Sequence, residues 1–473
     1  MAAGRLTRAV FAGLVATVAL APLPFASNRP WSWSLLAFVV GALLLLWATA
    51  AMRDDHAFAV SSPRIWRFVV MFAVVVAWIV VQASPLTPQA WHQPLWRQAS
   101  AALETPLTGA ISIDPQQTLT ALMRLLAYAG VFWLALQLGR SPARARAIVW
   151  TVALAGLAYS VYGLVLEFAG VDRILWYRRW AYEGSLTSTF VNRNAFATYA
   201  GLALMATLGL LLDEIRRGAG AGLVSRAGLR WMLEGLAGKP GLLVVAALAT
   251  GSALLLTDSR GGLVSAMVGL VVLAGAVGAR PGGRPAAALV TVVGVVVFAA
   301  AILALSGDVA LERLDRTFIA AEERPAVYRL VLGGILENPW LGAGYGTFES
   351  AFPLIRDSSI AGDLIYDKAH NTYLEFAFEA GVPAFALMMV ILAGLTWMCV
   401  RGVRRRRRDR IYACVGLAAT ALVATHALVD FTLQIPAVAA TYALLFGAAC
   451  AQSWSDGDKT GPAAAPASPD AKA

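Results

Sequence analysis

The sequence is poor in charged side chains. Aspartate, glutamate, lysine and arginine make up 14% of the 473 residues, whereas 59% are hydrophobic and the mean hydropathy is +0.67. A single water-soluble core cannot bury so much apolar surface. The apolar side chains must therefore face lipid or one another, which predicts an all-α membrane protein with many spans.

Cysteine and histidine are also scarce. The three cysteines, Cys399, Cys414 and Cys450, are too few for a disulfide framework or a metal cluster, and they lie near the predicted inner ends of the last three apolar segments. We expect them to be packing residues, and we expect neither a metal nor another cofactor. Only four histidines are available for acid–base chemistry.

Apolar stretches recur along the whole chain. A hydrocarbon layer roughly 30 Å thick needs about 20 residues at 1.5 Å each. We identify twelve such stretches, in this order: 6–24, 31–52, 65–81, 119–138, 147–166, 195–212, 242–256, 262–279, 286–305, 372–400, 411–429 and 435–450.

The positive charge is distributed unevenly. The formal net charge of +10 suggests nucleic acid at first sight, but the excess lies in short loops after the fourth, sixth and tenth stretches. This bias marks cytoplasmic loops. We therefore expect membrane lipids and no nucleic acid as partners, with both termini in the cytoplasm. The arginines that carry the bias are Arg140, Arg144, Arg146, Arg216, Arg217, Arg226, Arg230, Arg401, Arg404, Arg405, Arg406, Arg407, Arg408 and Arg410.

The same pattern divides the chain into four parts. Residues 1–305 contain transmembrane helices 1 to 9, and residues 306–370 form a large outer loop with short helices. Residues 371–452 contain helices 10 to 12. Residues 453–473, rich in alanine, proline and aspartate, are expected to be a disordered cytoplasmic tail.

Arg260 is the first candidate binding residue. It lies in the short hairpin 257–262 between two long apolar stretches, and so at the outer boundary of the membrane. An arginine there can contact a lipid-linked phosphate of a substrate, or it can be an interface anchor whose charged end reaches the headgroups.

Arg324 is the second candidate, in the outer loop. Pro325 suits the first position of a helix and Pro339 ends one, so Arg324 lies at a helix N-terminus, where free N–H groups favour an anion. Arg329 lies about 140° away around that helix and cannot share its face. The glycines at 342, 344 and 346 predict a tight turn. They do not predict a nucleotide-binding loop, because such a loop follows a β-strand and none is expected here.

His370 is the candidate general base. The pattern Thr372 to Glu375 predicts a capping box, so His370 precedes a helix start, where the helix dipole favours a neutral, basic imidazole. A structural histidine at a helix entry is the alternative. The rival base is His426, four residues before Asp430 on one predicted helix face.

Two further arginines have open interpretations. Arg193 follows a loop of mixed aromatic and basic residues that suits either sugar stacking or an aromatic belt at the membrane interface. Arg124 lies inside the fourth stretch and needs neutralisation, for which an ion pair with Glu167 and a phosphate contact are both plausible.

Several segments resemble the O-antigen ligase and O-antigen polymerase superfamily of bacterial inner-membrane glycosyltransferases, which includes protein O-oligosaccharyltransferases. Their order and spacing fit that family, and the His-Asn element is the most specific. Tyr328 stands where tryptophan is common and Ala343 where valine is common, and neither change removes a reacting group. The segments are Asn192-Arg193-Asn194, Ser259-Arg260-Gly261, Arg324 with Tyr328, Asn338-Pro339 with the glycine turn up to Phe348, and residues 369–374 with Glu379 and Gly381.

The resemblance implies a GT-C-like enzyme that moves a glycan from an undecaprenyl-diphosphate donor to an acceptor hydroxyl on the periplasmic side of the inner membrane. Transfer would proceed with inversion and without a metal. A sugar diphosphate needs a base for the attacking hydroxyl and cations for the departing diphosphate, which His370, Arg260 and Arg324 would provide. Four residues are expected to support them: Glu379, Asn371, Tyr328 and Arg193.

The acceptor remains open. Lipid A core would make the protein a ligase, another lipid-linked glycan repeat would make it a polymerase for O-antigen or exopolysaccharide, and a protein hydroxyl would make it an oligosaccharyltransferase. A glycan transporter or flippase is the rival class. The two halves show no similarity, however, and the polar residues gather at the outer surface instead of the bilayer midplane. A structural assembly partner is a third class.

Overall fold

The computed structural model describes residues 2–53, 63–218, 235, 238–279, 324–360, 366–406 and 408–454. The described residues are predominantly α-helical, as expected, with one two-residue antiparallel ribbon. The predicted ninth span, 286–305, lies outside the described residues. So do the first part of the outer loop and the tail after residue 454.

The described residues of the first half form seven α-helices and the ribbon. Helix α4 lies in the loop between the third and fourth predicted spans and was not predicted. The elements are α1 (Ala2–Leu20), α2 (Pro30–Arg53), α3 (Pro63–Ala83), α4 (Pro94–Ala102), α5 (Pro115–Leu138), α6 (Pro142–Phe168), β1 (Arg173–Ile174), β2 (Tyr177–Arg178) and α7 (Arg193–Gly218).

The second half contains eight described helices, three of them short and on the side of the predicted outer loop. They are α8 (Lys239–Leu255), α9 (Arg260–Gly278), α10 (Arg324–Glu337), α11 (Phe348–Ala351), α12 (Thr372–Ala380), α13 (Val382–Arg405), α14 (Arg410–His426) and α15 (Pro436–Ala451).

Seven described helices are long and apolar enough to cross a membrane, and three shorter helices are also apolar. The chain is therefore a multi-pass α-helical membrane protein. The seven are α2, α3, α5, α6, α7, α9 and α13, and the shorter three are α8, α14 and α15. The total of twelve spans stays a prediction.

The predicted tenth span is broken at Gly381 into α12 and α13. Gly381 has a φ of 81° and caps both helices, and the amide of Val382 donates to the carbonyl of Pro339 at 2.8 Å. Apolarity continues across the break, so periodicity alone could not reveal it. Helix α12 is consequently a separate short helix before the spanning helix α13.

The core surrounds α7, the most buried of the seven long helices. Its aromatic residues Phe196 and Tyr199 pack against Phe190 and are fully buried. Helices α6, α8, α9 and α14 pack around α7, and α15 packs along α5. Arg410, at the start of α14, donates to the carbonyl of Val277 near the end of α9. These two neighbours are therefore antiparallel, and the end of α14 meets the start of α9.

Candidate functional site

The loop 427–431, which follows α14, lies at the centre of a polar cluster at one end of the bundle. Its carbonyls accept hydrogen bonds from two other elements. Arg324 Nη1 donates to Val429 O at 3.0 Å, and Thr372 donates through its amide to Ala427 O and through its hydroxyl to Asp430 O, both at 2.9 Å. The starts of α10 and α12 therefore meet on this loop.

His370 lies beside the carboxylate of Asp430. The distance from His370 Nδ1 to Asp430 Oδ1 is 3.8 Å, and the imidazole packs edge-on against Phe431. The imidazole is 28% exposed, while Nδ1 is buried and has no hydrogen-bond partner among the described residues. One edge of the ring thus faces Asp430, and part of the ring remains accessible.

Asp430 is almost fully buried and ionised. Burial alone would raise its pKa, but the neighbouring His370 and His426 and the Phe431 amide outweigh burial and hold the pKa below its ordinary value. Asn194, in the first turn of α7, donates its side-chain amide to the other carboxylate oxygen. The charge of Asp430 is therefore available to His370 at neutral pH.

Asn371 is the N-cap of α12. Its side chain accepts from the amides of Tyr373 and Leu374, each at 3.1 Å. The expectation that Thr372 caps this helix was wrong, because Thr372 is the first helical residue and its hydroxyl bonds the loop 427–431 instead. The helix start after His370 is still where the sequence predicted it.

Glu375 fixes the chain immediately before His370. Its carboxylate accepts from the Ala369 amide and the Gln434 side chain, both at 2.8 Å, and lies 3.6 Å from Lys368 Nζ. Since Gln434 follows Asp430 in sequence, Glu375 joins the two segments that carry the histidine and the carboxylate.

Tyr328 connects α10 to the same point. Its hydroxyl donates to the carbonyl of His370 at 2.8 Å. Burial raises the pKa of Tyr328, so the hydroxyl remains a hydrogen-bond donor. Arg324 lies one turn before Tyr328. The charge of Arg329 instead helps to lower the pKa of Asp357, which lies outside the cluster. The two arginines thus lie in different surroundings, in keeping with their separation around the helix.

Arg260 begins α9 beside the same loop. Ser259 caps the helix by accepting from the Gly262 amide at 3.1 Å. A methyl group added at Gly261 would lie 3.0 Å from His426 Nε2 and 3.1 Å from a methyl carbon of Val429. The backbone next to Arg260 therefore lies beside the last residue of α14 and the middle of the loop that Arg324 and His370 approach.

Arg193 joins the cluster indirectly. Its Nη1 donates to the Ser185 hydroxyl at 3.1 Å, Ser185 in turn donates to Asp258 at 3.0 Å, and the guanidinium lies over the ring of Tyr182. Asp258 is two residues before Arg260. Arg193 therefore fastens the aromatic-basic loop to the hairpin that carries Arg260.

Glu379 lies elsewhere. It is buried at the far end of α12, where its carboxylate accepts from the Phe348 amide at 2.9 Å. Burial and the charge of Glu375 raise the pKa of Glu379. Its described contacts hold the glycine turn before α11, not His370.

His426 is not exposed to a substrate. Helix α14 ends at His426, so Asp430 does not share its helix face, and the imidazole is buried with Nδ1 2.6 Å from the Thr198 hydroxyl. The prediction that His426 and Asp430 share a helix face was therefore wrong, and the carboxylate of Asp430 faces His370 instead. In the sequence, the family resemblance of the segment Asn192-Arg193-Asn194 was the one indication that α7 contributes to this cluster.

The fold and the site define a multi-pass membrane protein with a histidine, a carboxylate and arginines at one end of its helical bundle. Residues 244–389 match the family model described as O-antigen ligase. This match confirms the resemblance to the O-antigen ligase and polymerase superfamily and supports an enzyme. It includes Arg260, Arg324 and His370 but neither Arg193 nor Asp430. No curated protein matches the chain.

Proposed function

We propose that this protein transfers a glycan from an undecaprenyl-diphosphate donor to an acceptor hydroxyl on the periplasmic side of the bacterial inner membrane. The observation that carries the proposal is the convergence of His370 and Arg324 on the loop 427–431, which contains Asp430, with Arg260 beginning the adjacent helix. Three of these residues lie within the matched region.

The departing group carries most of the charge in this reaction. When the bond between the anomeric carbon and the diphosphate oxygen breaks, negative charge grows on the diphosphate. Arg324 and Arg260 would stabilise that charge, since one guanidinium group can donate hydrogen bonds to two phosphate oxygens at once. Both arginines start helices, where free N–H groups add to the attraction.

The attacking hydroxyl needs a base. Asp430 beside Nδ1 favours a proton on that nitrogen, which leaves Nε2 of His370 to accept the proton of the acceptor hydroxyl. The acceptor oxygen bonds to the anomeric carbon as the diphosphate leaves with the bonding electrons. A single displacement of this kind inverts the anomeric configuration. Asp430 stabilises the imidazolium that forms.

The helix directions support the proposed side of the membrane. The cluster gathers the starts of α7, α9 and α12 and the end of α14. Basic residues lie at the opposite ends, as at Arg217 in α7 and Arg410 in α14. Cytoplasmic loops are rich in arginine and lysine, which supports a periplasmic position for the cluster.

Transfer by the purified protein tests the function directly. We expect His370→Ala to lower the rate of glycan transfer about 10² to 10⁴-fold while donor binding stays nearly unchanged, because the base is lost and the arginines remain. His92→Ala is the matched control. Within the described part of the chain its ring bonds Thr87, which lies outside the site, and we expect the variant to retain activity.

The assay uses the full chain in detergent with a lipid-diphosphate glycan, a candidate acceptor and a chelator. Product formation measures activity, and retention of labelled donor measures binding. Full activity of His370→Ala would contradict the assignment of the base. Loss of wild-type activity in chelator that added metal restores would contradict metal independence.

A further inference from the structure

The start of α7 lies against both His426 and Asp430. Asn194 donates its side-chain amide to Oδ2 of Asp430, and the hydroxyl of Thr198, one turn later, lies 2.6 Å from Nδ1 of His426. Residues four apart on a helix share a face, so one face of α7 contacts the carboxylate and the histidine together. Helix α7 is the most buried of the seven long helices, which makes it a rigid support for these contacts.

Thr198 determines which nitrogen of His426 carries a hydrogen. The Thr198 hydroxyl has one hydrogen, which it donates to the carbonyl of Asn194 at 3.1 Å. Nδ1 of His426 is therefore the donor in its contact with Thr198. Nε2, the other ring nitrogen, lies on the side of α9, where a methyl group added at Gly261 would be 3.0 Å from it. Among the described residues, both nitrogens of His426 thus have neighbours other than Asp430.

Two donors hold the buried carboxylate of Asp430, one on each oxygen. The amide of Phe431 donates to Oδ1 at 2.7 Å, and Asn194 donates to Oδ2. Oδ1 also faces His370, whose Nδ1 lies 3.8 Å away. That separation is longer than a hydrogen bond, so the direction of the carboxylate decides whether the pair can close during the reaction. Loss of the Asn194 amide would free the carboxylate to rotate about its terminal bond.

We propose that Asn194 is a positioning residue, which directs Asp430 to His370 and not to His426. The inference rests on the proposed function, in which His370 is the general base. Asn194 acts through Asp430, since the described donor contact of its side chain is to that carboxylate. The proposal adds a residue of α7, outside the matched region 244–389, to the groups that prepare the base.

Steady-state kinetics of an Asn194→Leu variant test the proposal. Leucine has the same branched shape as asparagine but donates no hydrogen bond. We expect kcat to fall about tenfold to a hundredfold, with the KM values for donor and acceptor within about twofold of wild type, because substrate binding does not use Asn194. Thr207→Val is the matched control and should keep the wild-type kcat. Thr207 is buried in the same helix, and its hydroxyl donates to the Ala203 carbonyl of that helix. An unchanged kcat in Asn194→Leu, with or without a higher KM, would overturn the proposal.

The pH profile of Asn194→Asp distinguishes positioning from packing. At low pH the new carboxyl group is protonated and can donate to Asp430 as the amide does. At high pH it ionises, and two adjacent carboxylates repel each other. We therefore expect the ratio of its kcat to the wild-type kcat to fall about tenfold or more between about pH 5 and pH 9. A ratio that does not change with pH would overturn the proposal. The other titratable or charged side chains on the elements around Asp430 are the same in both proteins: His370, His426, Tyr182, Tyr328, Arg324 and Arg260.

A chemical probe separates this inference from the proposed function, because it needs no glycan. Diethyl pyrocarbonate acylates neutral imidazole, and mass spectrometry of the peptide that contains His370 measures the rate for the full chain in detergent at alkaline pH. We expect the rate to fall about twofold to fivefold in Asn194→Leu and equally in Asp430→Asn, because a carboxylate beside Nδ1 makes Nε2 more nucleophilic. Thr207→Val should react like wild type.

The outcomes of this probe are distinct. A wild-type rate at His370 in Asn194→Leu would overturn the positioning role. The expected pattern of rates in a protein that shows no transferase activity would leave the positioning role intact while the proposed function fails.

Discussion

His370 has a left-handed backbone conformation, with a φ of 53°. A residue other than glycine rarely adopts it, and it costs of order 1 kcal/mol unless its surroundings enforce it. Tyr328 holds the carbonyl of His370, and Glu375 holds the amide of the residue before it. The side chain is therefore positioned by contacts from two helices, as a base that must meet a substrate requires.

Asp430→Asn tests the pairing at the level of single residues. We expect glycan transfer to fall about 10² to 10³-fold, because the asparagine cannot stabilise the imidazolium. The double variant His370→Ala with Asp430→Asn should be no slower than His370→Ala, since the two act as one unit. Initial rates measure this, and melting temperatures confirm folding.

Asp357→Asn is the control for that charge change. Asp357 is exposed in the outer loop and bonds Ser359, so its loss should not change the rate. Effects of His370→Ala and Asp430→Asn that multiply in the double variant would show that Asp430 acts independently of His370.

At the scale of elements, the glycine turn fixes where α12 lies. Gly342, Gly344 and Gly346 all have positive φ. The amides of Ala343 and Gly344 donate to the carbonyls of Phe378 and Glu379, at 3.1 and 2.9 Å. The turn thereby binds the end of α12 whose start follows His370, so an intact turn is a condition for the geometry of the site.

Gly342→Ala should weaken this connection. The added methyl group would meet the backbone of Glu379 and Gly381, at a φ of 71° that alanine avoids. We expect a loss of about 1–3 kcal/mol in stability, seen as a lower melting temperature in detergent. Gly333→Ala in α10 is the control, because nothing lies within 4 Å of its added methyl and an alanine favours the helix. Equal stability of the two variants would contradict the role of the turn.

At the scale of the whole molecule, the polar cluster lies at one end of the helical bundle and the excess of arginine lies at the other. The starts of α7 and α9 and the end of α14 meet at the cluster, and the opposite ends of α9 and α14 are tied by Arg410. Orientation in the membrane then decides whether the site faces the periplasm.

Cysteine labelling measures that orientation. All three native cysteines are buried, so the background reaction should be low. In cells with a permeabilised outer membrane, a Ser358→Cys variant should react with an impermeant maleimide. A Ser141→Cys variant, between α5 and α6, should react only after lysis of the inner membrane. The reverse pattern would place the site in the cytoplasm and contradict the proposed reaction.

The sequence by itself determined the helical segments. Eleven predicted spans correspond to described helices, because a run of about 20 apolar residues has few alternatives to a helix in lipid. The helix over 324–337 was also predictable, since Pro325 and Pro339 act locally on the backbone. The candidate residues His370, Arg260 and Arg324 followed from helix starts and from the family resemblance.

Only the tertiary structure decided which of these residues meet. Asp430 is 60 positions after His370 in the chain, and the sequence assigned it to His426 because a regular helix would place residues four apart on one face. The end of α14 at His426 removes that relation and turns Asp430 towards His370. Likewise, Arg124 in α5 lies over the ring of Trp33, which α2 contributes. Contacts between distant segments depend on how helices pack, which local periodicity does not encode.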